Sequence, residues 1–134
     1  MKKILSGNLS RSSTRKQVKL DIDKVKEIVM LSLKKHVQNN AVFYINEAVY
    51  PKGTEFTIGT NRYKMPSDTI MVFVDEEPGK NWGHNCRYLF FDVNSGQVTE
   101  VREQFPPSLT KIPQTFKVIW KPNEVPDWAL LTSP

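Results

Sequence analysis

The sequence has few of the residues that form disulfides or bind metals. Among its 134 residues there are one cysteine and two histidines. One cysteine excludes an internal disulfide and fits a reducing cytoplasm. A structural zinc site needs four Cys or His ligands, so these three residues are too few. The acidic run Asp75-Glu76-Glu77 lacks the Asp-x-Asp-x-Asp-Gly pattern of a calcium loop, and we predict no metal site.

Long apolar runs and nucleotide-binding motifs are also missing. No apolar segment approaches the roughly 20 residues that span a bilayer. After Met1-Lys2-Lys3 only Ile4 and Leu5 precede polar residues, which is too short for a secretory signal. We therefore predict a cytoplasmic protein without a membrane partner. The sequence has no Gly-x-Gly-x-x-Gly, Gly-Lys-Ser/Thr, His-Glu-x-x-His or Gly-x-Ser-x-Gly motif, which favours a non-catalytic protein with no cofactor.

The basic residues are concentrated near the N-terminus. Residues 1–38 contain ten Lys and Arg against three Asp and Glu, while the remaining 96 residues carry a small net negative charge. Residues 1–19 are rich in Ser, Lys and Arg and poor in large apolar side chains, which predicts a flexible basic arm. The single folded domain is then expected over 20–134. The arm could neutralise nucleic-acid phosphates through Arg11, Arg15, Lys16 and Lys19.

The hydrophobic pattern predicts one helix followed by strands. Apolar residues recur at helical spacing over 21–38, and Asp21 is placed to cap the helix N-terminus. Strand patterns follow, separated by turn signals that include 59–62 and 94–96. The predicted strands are 41–49, 55–58, 69–75, 86–93, 97–102 and 115–120. This order predicts an α+β domain in which one N-terminal helix packs on a single antiparallel sheet of five to six strands.

The connection between the strands at 69–75 and 86–93 is the main candidate for a binding site. It is longer than a hairpin requires, and long connections between strands often carry binding residues. Trp82 would anchor a protein interface, or it folds back to cap the core. The predicted partner-binding residues are Glu76, Glu77, Pro78, Lys80, Asn81, Trp82 and His84.

His84 and Cys86 allow a catalytic alternative. Two residues apart on a strand, their side chains would share a face, so the imidazole could activate the thiol as a nucleophile. A carboxylate of Asp75, Glu76, Glu77 or Asp92 could orient the imidazole. Against this, a free cysteine that opens an apolar strand usually packs as a small core residue.

The segment Tyr88-Leu89-Phe90-Phe91-Asp92-Val93-Asn94-Ser95-Gly96-Gln97-Val98 resembles the terminal hairpin of PepSY-type protease-propeptide domains. A helix that precedes an antiparallel sheet is also similar to the cystatin-like fold, although the Gln-x-Val-x-Gly loop of cystatin inhibitors is absent. Small bacterial toxin-immunity proteins contain a similar hairpin. The resemblance implies a small non-catalytic domain that binds another protein and restrains it, as an inhibitor or immunity protein acting through residues 76–85. The alternatives are a nucleic-acid-associated protein and a small hydrolase with Cys86 as nucleophile.

Overall fold

A computed structural model describes residues 19–35, 41–80, 83–107 and 115–131. Within these residues the chain forms one α-helix, seven strands and a short 3₁₀ helix. The helix is α1 (Ile22–Lys35), and the 3₁₀ helix is Asp127–Ala129. The strands are β1 (Val42–Asn46), β2 (Glu55–Ile58), β3 (Asn61–Lys64), β4 (Thr69–Asp75), β5 (Cys86–Asp92), β6 (Val98–Glu103) and β7 (Phe116–Trp120).

Five of the strands form one antiparallel sheet in the order β6-β5-β4-β1-β7. The predicted α+β class, with a helix on an antiparallel sheet, is therefore confirmed. Asp21 caps α1 as predicted, since its Oδ1 accepts the backbone N–H of Lys24 at 2.8 Å. Within the described residues, no helix has the length and apolarity needed to cross a membrane.

The strands β2 and β3 form a separate hairpin, which the sequence did not predict. The prediction treated residues 59–62 as a turn, but Asn61 and Arg62 begin β3 and pair with Ile58 and Thr57. The turn is confined to Gly59 and Thr60, because Gly59 adopts a φ of 59° that L-residues rarely adopt. The hairpin packs on the sheet through aromatic rings, and the ring centroids of Phe56–Tyr88 and Tyr63–Phe90 lie 6.0 and 5.7 Å apart.

The sheet has a buried core on each face because strand side chains alternate between the two sides. On one side, Val25 and Val29 of α1 pack with alternate residues of the central strands, including Val72 and Val74. The opposite core contains Tyr44, Met71, Phe73, Cys86 and Tyr88, covered by the β2–β3 hairpin and the C-terminal segment. The connection from β4 to β5 leaves the sheet where this second core ends.

Candidate functional site

The predicted partner-binding segment, residues 76–85, connects two residues that pair across neighbouring strands. Asp75, the last residue of β4, pairs with Cys86, the first residue of β5. Asn81 and Trp82 lie outside the described residues, as do Arg11, Arg15 and Lys16 of the basic arm. Lys19 is described and is exposed.

The base of this connection is held by a buried carboxylate. Asp75 is fully buried, and its Oδ1 lies 2.7 Å from Nε2 of the nearly buried His84. The same oxygen accepts the backbone N–H of Glu77 at 3.1 Å. Its other oxygen, Oδ2, is buried and makes no hydrogen bond among the described residues. Burial raises the pKa of Asp75, and the neighbouring His84 partly offsets this effect. One carboxylate thus connects both ends of the loop.

Of the four acidic residues that the sequence offers as partners of His84, Asp75 is the one in contact with it. The register explains this, because β4 ends at Asp75 opposite Cys86, the first residue of β5, and His84 lies only two residues before Cys86. His84 is therefore not a surface residue available to a partner. It lies beneath the loop, and its backbone N–H donates to the carbonyl of Gln104 at 2.9 Å.

The Cys86 thiol lies in an environment that disfavours the thiolate. Its side chain is 2% exposed, and Sγ lies 3.4 Å from the carbonyl oxygen of Phe105. Burial raises its pKa to about 12, and the negative charge of Asp75 contributes to the rise. Because the thiolate is the nucleophilic form, this position gives little support to catalysis through Cys86.

Glu76 takes part in an ion-pair cluster on the sheet surface. Its carboxylate lies 3.0 Å from Nε of Arg87 and 3.6 Å from Nη1 of Arg102. Arg87 also lies 3.6 Å from the carboxylate of Glu100. The charge of Glu76 is therefore balanced within the chain. Glu77 instead supports the loop, since its Oε1 accepts the backbone N–H of Asn85 at 3.0 Å.

The C-terminal segment places an exposed tryptophan beside the loop. The side chain of Trp128 is 77% exposed, the highest value among the large apolar residues of the described chain. Its ring lies over Gly79, where a Cβ atom would come within 3.2 Å of the indole. A groove of about 480 Å³ lies next to the Trp128 ring. Its lining residues are Glu76, Glu77, Pro78, Lys80, Glu124, Val125, Pro126, Trp128 and Ala129. We call the surface formed by residues 76–80 and 124–129 the Trp128 face.

Contacts with the core hold Trp128 in this position. Val125 and Ala129, on either side of it in sequence, are buried in the second core. The ammonium group of Lys121 donates to the carbonyl of Val125 at 2.6 Å, and the backbone N–H of Leu131 donates to the Tyr44 hydroxyl at 2.7 Å. The segment is therefore fixed to the sheet while the indole faces solvent.

The structure brings together part of the predicted site and adds a residue that the prediction missed. Glu76, Glu77, Pro78 and Lys80 line the groove of the Trp128 face, whereas His84 does not. Trp128 was not predicted, because it follows several prolines in a segment without periodic pattern. The one sequence feature that could have indicated it is a large aromatic residue in an irregular, proline-rich segment. The described residues include no group of three His, Cys, Asp or Glu side chains that could hold a metal ion.

No protein-family model, curated protein or solved structure matches the chain. The similarity to PepSY-type and cystatin-like domains therefore stays a prediction from one hairpin and the order of the elements.

Proposed function

We propose that this chain is a non-catalytic domain that binds another protein through the Trp128 face. The observation that carries the proposal is the 77% exposed indole of Trp128 beside a groove. Large aromatic side chains supply much of the binding energy at protein interfaces. Burying most of an indole contributes about 3 kcal/mol at the usual value per area of apolar surface, which is the size of an interface hot spot.

The fixed backbone around Trp128 supports this role. Val125 and Ala129 are buried and their segment is hydrogen-bonded to the sheet, so little conformational freedom remains to be lost on binding. Preorganised contacts of this kind favour affinity. Other exposed apolar residues, such as Leu31 on α1 and Val98 on β6, do not line this groove.

The proposed domain acts by occupying a surface of its partner, as an inhibitor or a toxin-immunity protein does. The environment of Cys86 agrees with a non-catalytic role, because burial raises the pKa of the thiol to about 12. In this proposal the chain acts on its partner only through the shape and charge of the Trp128 face.

The test compares capture of partners by the full chain and by two variants. Trp128→Ala removes the exposed indole, and Leu31→Ala is the matched control because Leu31 is a 53% exposed apolar residue on α1. Each tagged protein is incubated with lysate of the organism that makes the chain, and captured proteins are quantified by mass spectrometry. All three must show the same thermal midpoint.

We expect a protein that the wild type and Leu31→Ala capture equally, and that Trp128→Ala captures at least about tenfold less. Identical capture by all three proteins would contradict the proposal. The activity of the captured protein is then assayed with and without the chain. Suppression supports the inhibitory role, whereas an unchanged activity restricts the function to binding.

A further inference from the structure

We infer that the Trp128 face receives an arginine side chain of the bound protein, with the guanidinium stacked on the indole and paired with the carboxylates beside it. This inference rests on the proposed function and names the chemistry of its partner. It combines the exposed aromatic ring with the charges that line the same groove.

The groove carries more negative than positive charge. Three carboxylates, those of Glu76, Glu77 and Glu124, line it together with one amine, that of Lys80. Glu76 is already balanced by Arg87 and Arg102. The carboxylates of Glu77 and Glu124 are therefore the ones available to a positively charged side chain.

The charges next to the groove do not reverse this balance. Asp127 precedes Trp128 and its side chain is almost fully exposed, 3.9 Å from the ammonium group of Lys121. That ammonium group also donates to the carbonyl of Val125 at 2.6 Å, which holds it against the backbone. Lys121 therefore contacts groups of the C-terminal segment, and neither Lys121 nor Asp127 lines the groove.

Arginine fits this combination better than the other side chains. A guanidinium is planar, so it stacks on an indole face, and its fork of N–H donors matches a carboxylate. The walls formed by Pro78, Val125 and Pro126 suit the aliphatic part of an arginine side chain. An apolar side chain would form no ion pair with Glu77 or Glu124.

The test uses N-acetyl-arginine amide as the probe and the full chain with ¹⁵N-labelled tryptophan. The indole N–H signal of Trp128 is assigned by its absence from Trp128→Phe, and its shift is followed by NMR during titration. N-acetyl-citrulline amide is the control compound, because it has nearly the same shape and no charge. N-acetyl-leucine amide tests an apolar occupant.

We expect the arginine probe to shift the Trp128 signal saturably at millimolar concentrations, and citrulline to bind at least about fivefold more weakly. The double variant Glu77→Gln, Glu124→Gln should weaken arginine binding about threefold or more. Glutamine keeps an oxygen that can accept the Asn85 N–H, so the loop contact is retained. Glu55→Gln, at an exposed position on β2, is the matched control and should bind arginine as the wild type does.

Equal shifts with arginine and citrulline, tighter binding of the leucine probe, or no saturable shift would each overturn the inference. The proposed function is tested separately by capture. If Trp128→Ala loses the captured protein while the double glutamine variant keeps it, the protein-binding function stands and the arginine inference fails. If Trp128→Ala captures the same proteins as the wild type, the proposed function itself fails.

Discussion

His84→Ala is the substitution that most directly tests the buried carboxylate beneath the loop. In the wild type, Asp75 is fully buried, and His84 and the backbone N–H of Glu77 contact the same oxygen. The substitution removes the imidazole that hydrogen-bonds to the carboxylate and leaves the Glu77 N–H in place. We therefore expect the folded state to lose stability because a buried charge has lost its partner.

The expected loss is about 3 kcal/mol at pH 7.5. Leaving a buried charged group without a hydrogen-bond partner costs about 3 kcal/mol or more, and the remaining N–H donor places Asp75 at the lower end. A domain of this size has about 5–15 kcal/mol of stability, so the variant should still fold. The thermal midpoint should fall by about 10 °C.

The loss should depend on pH in a fixed direction. Burial raises the folded pKa of Asp75 above its ordinary value, so the folded protein binds this proton more tightly than the unfolded chain does. Stability from such a group is fully present below the unfolded pKa, about 3.9, and is lost as pH rises through the folded pKa. His84 lowers the pKa of Asp75, so in His84→Ala this pKa is higher still and stability continues to fall up to a higher pH. The loss should therefore be larger at pH 7.5 than at pH 4.5.

The assay is urea unfolding followed by far-UV circular dichroism at the two pH values. The control is the double variant His84→Ala, Asp75→Asn, which removes the charge and keeps an oxygen for the Glu77 N–H. It should recover at least about half of the lost stability at pH 7.5. Equal losses at both pH values, or a double variant no more stable than His84→Ala, would refute the reasoning.

Three further predictions follow from the second core and the loop. At pH 8 the folded Cys86 should react with iodoacetamide at roughly a thousandth of the rate in urea, because its pKa is about 12 where an ordinary thiol has 9.0; similar rates would contradict the burial. Gly79→Ala and Gly53→Ala should each cost about 1–2 kcal/mol, since both glycines have a φ near 85–90°. Only Gly79→Ala should also shift the indole N–H NMR signal of Trp128, because a Cβ at Gly53 meets nothing within 4 Å in the described chain; a shift in both variants would count against that contact. Tyr44→Phe removes the hydroxyl that accepts a backbone N–H of the C-terminal segment and should cost about 1 kcal/mol in urea unfolding; an unchanged stability would show that the bond contributes nothing.

The elements that could be predicted are those with a strong local pattern. The cap at Asp21 and the apolar spacing of 21–38 locate α1, and the strands β4 and β5 follow from dense runs of β-forming residues. The β2–β3 hairpin was missed because its pairing depends on tertiary contacts, namely Phe56 and Tyr63 packing on rings of β5. Local turn signals cannot show which sheet a short strand will join.

The site was only partly predictable for a related reason. Loop length indicates residues 76–85, and the sequence offers four carboxylates as partners of His84. The choice of Asp75 depends on the register of β4 with β5, which a single sequence does not specify. The exposure of Trp128 depends on Val125 and Ala129 being buried on either side of it. Nothing in the order of residues 121–131 shows which of these side chains faces solvent.

The buried Asp75–His84 pair and the exposed Trp128 are connected by a series of contacts through the loop. Asp75 fixes the Glu77 N–H, and Glu77 accepts the Asn85 N–H, so the turn that contains Gly79 is held from both ends. Gly79 in turn lies against the Trp128 ring. We therefore expect a substitution at Asp75 or His84 to alter the backbone at Glu77, which lines the groove. The polar group buried at the end of the sheet thus has a structural role that an apolar residue could not fill, because it shapes the surface proposed for binding.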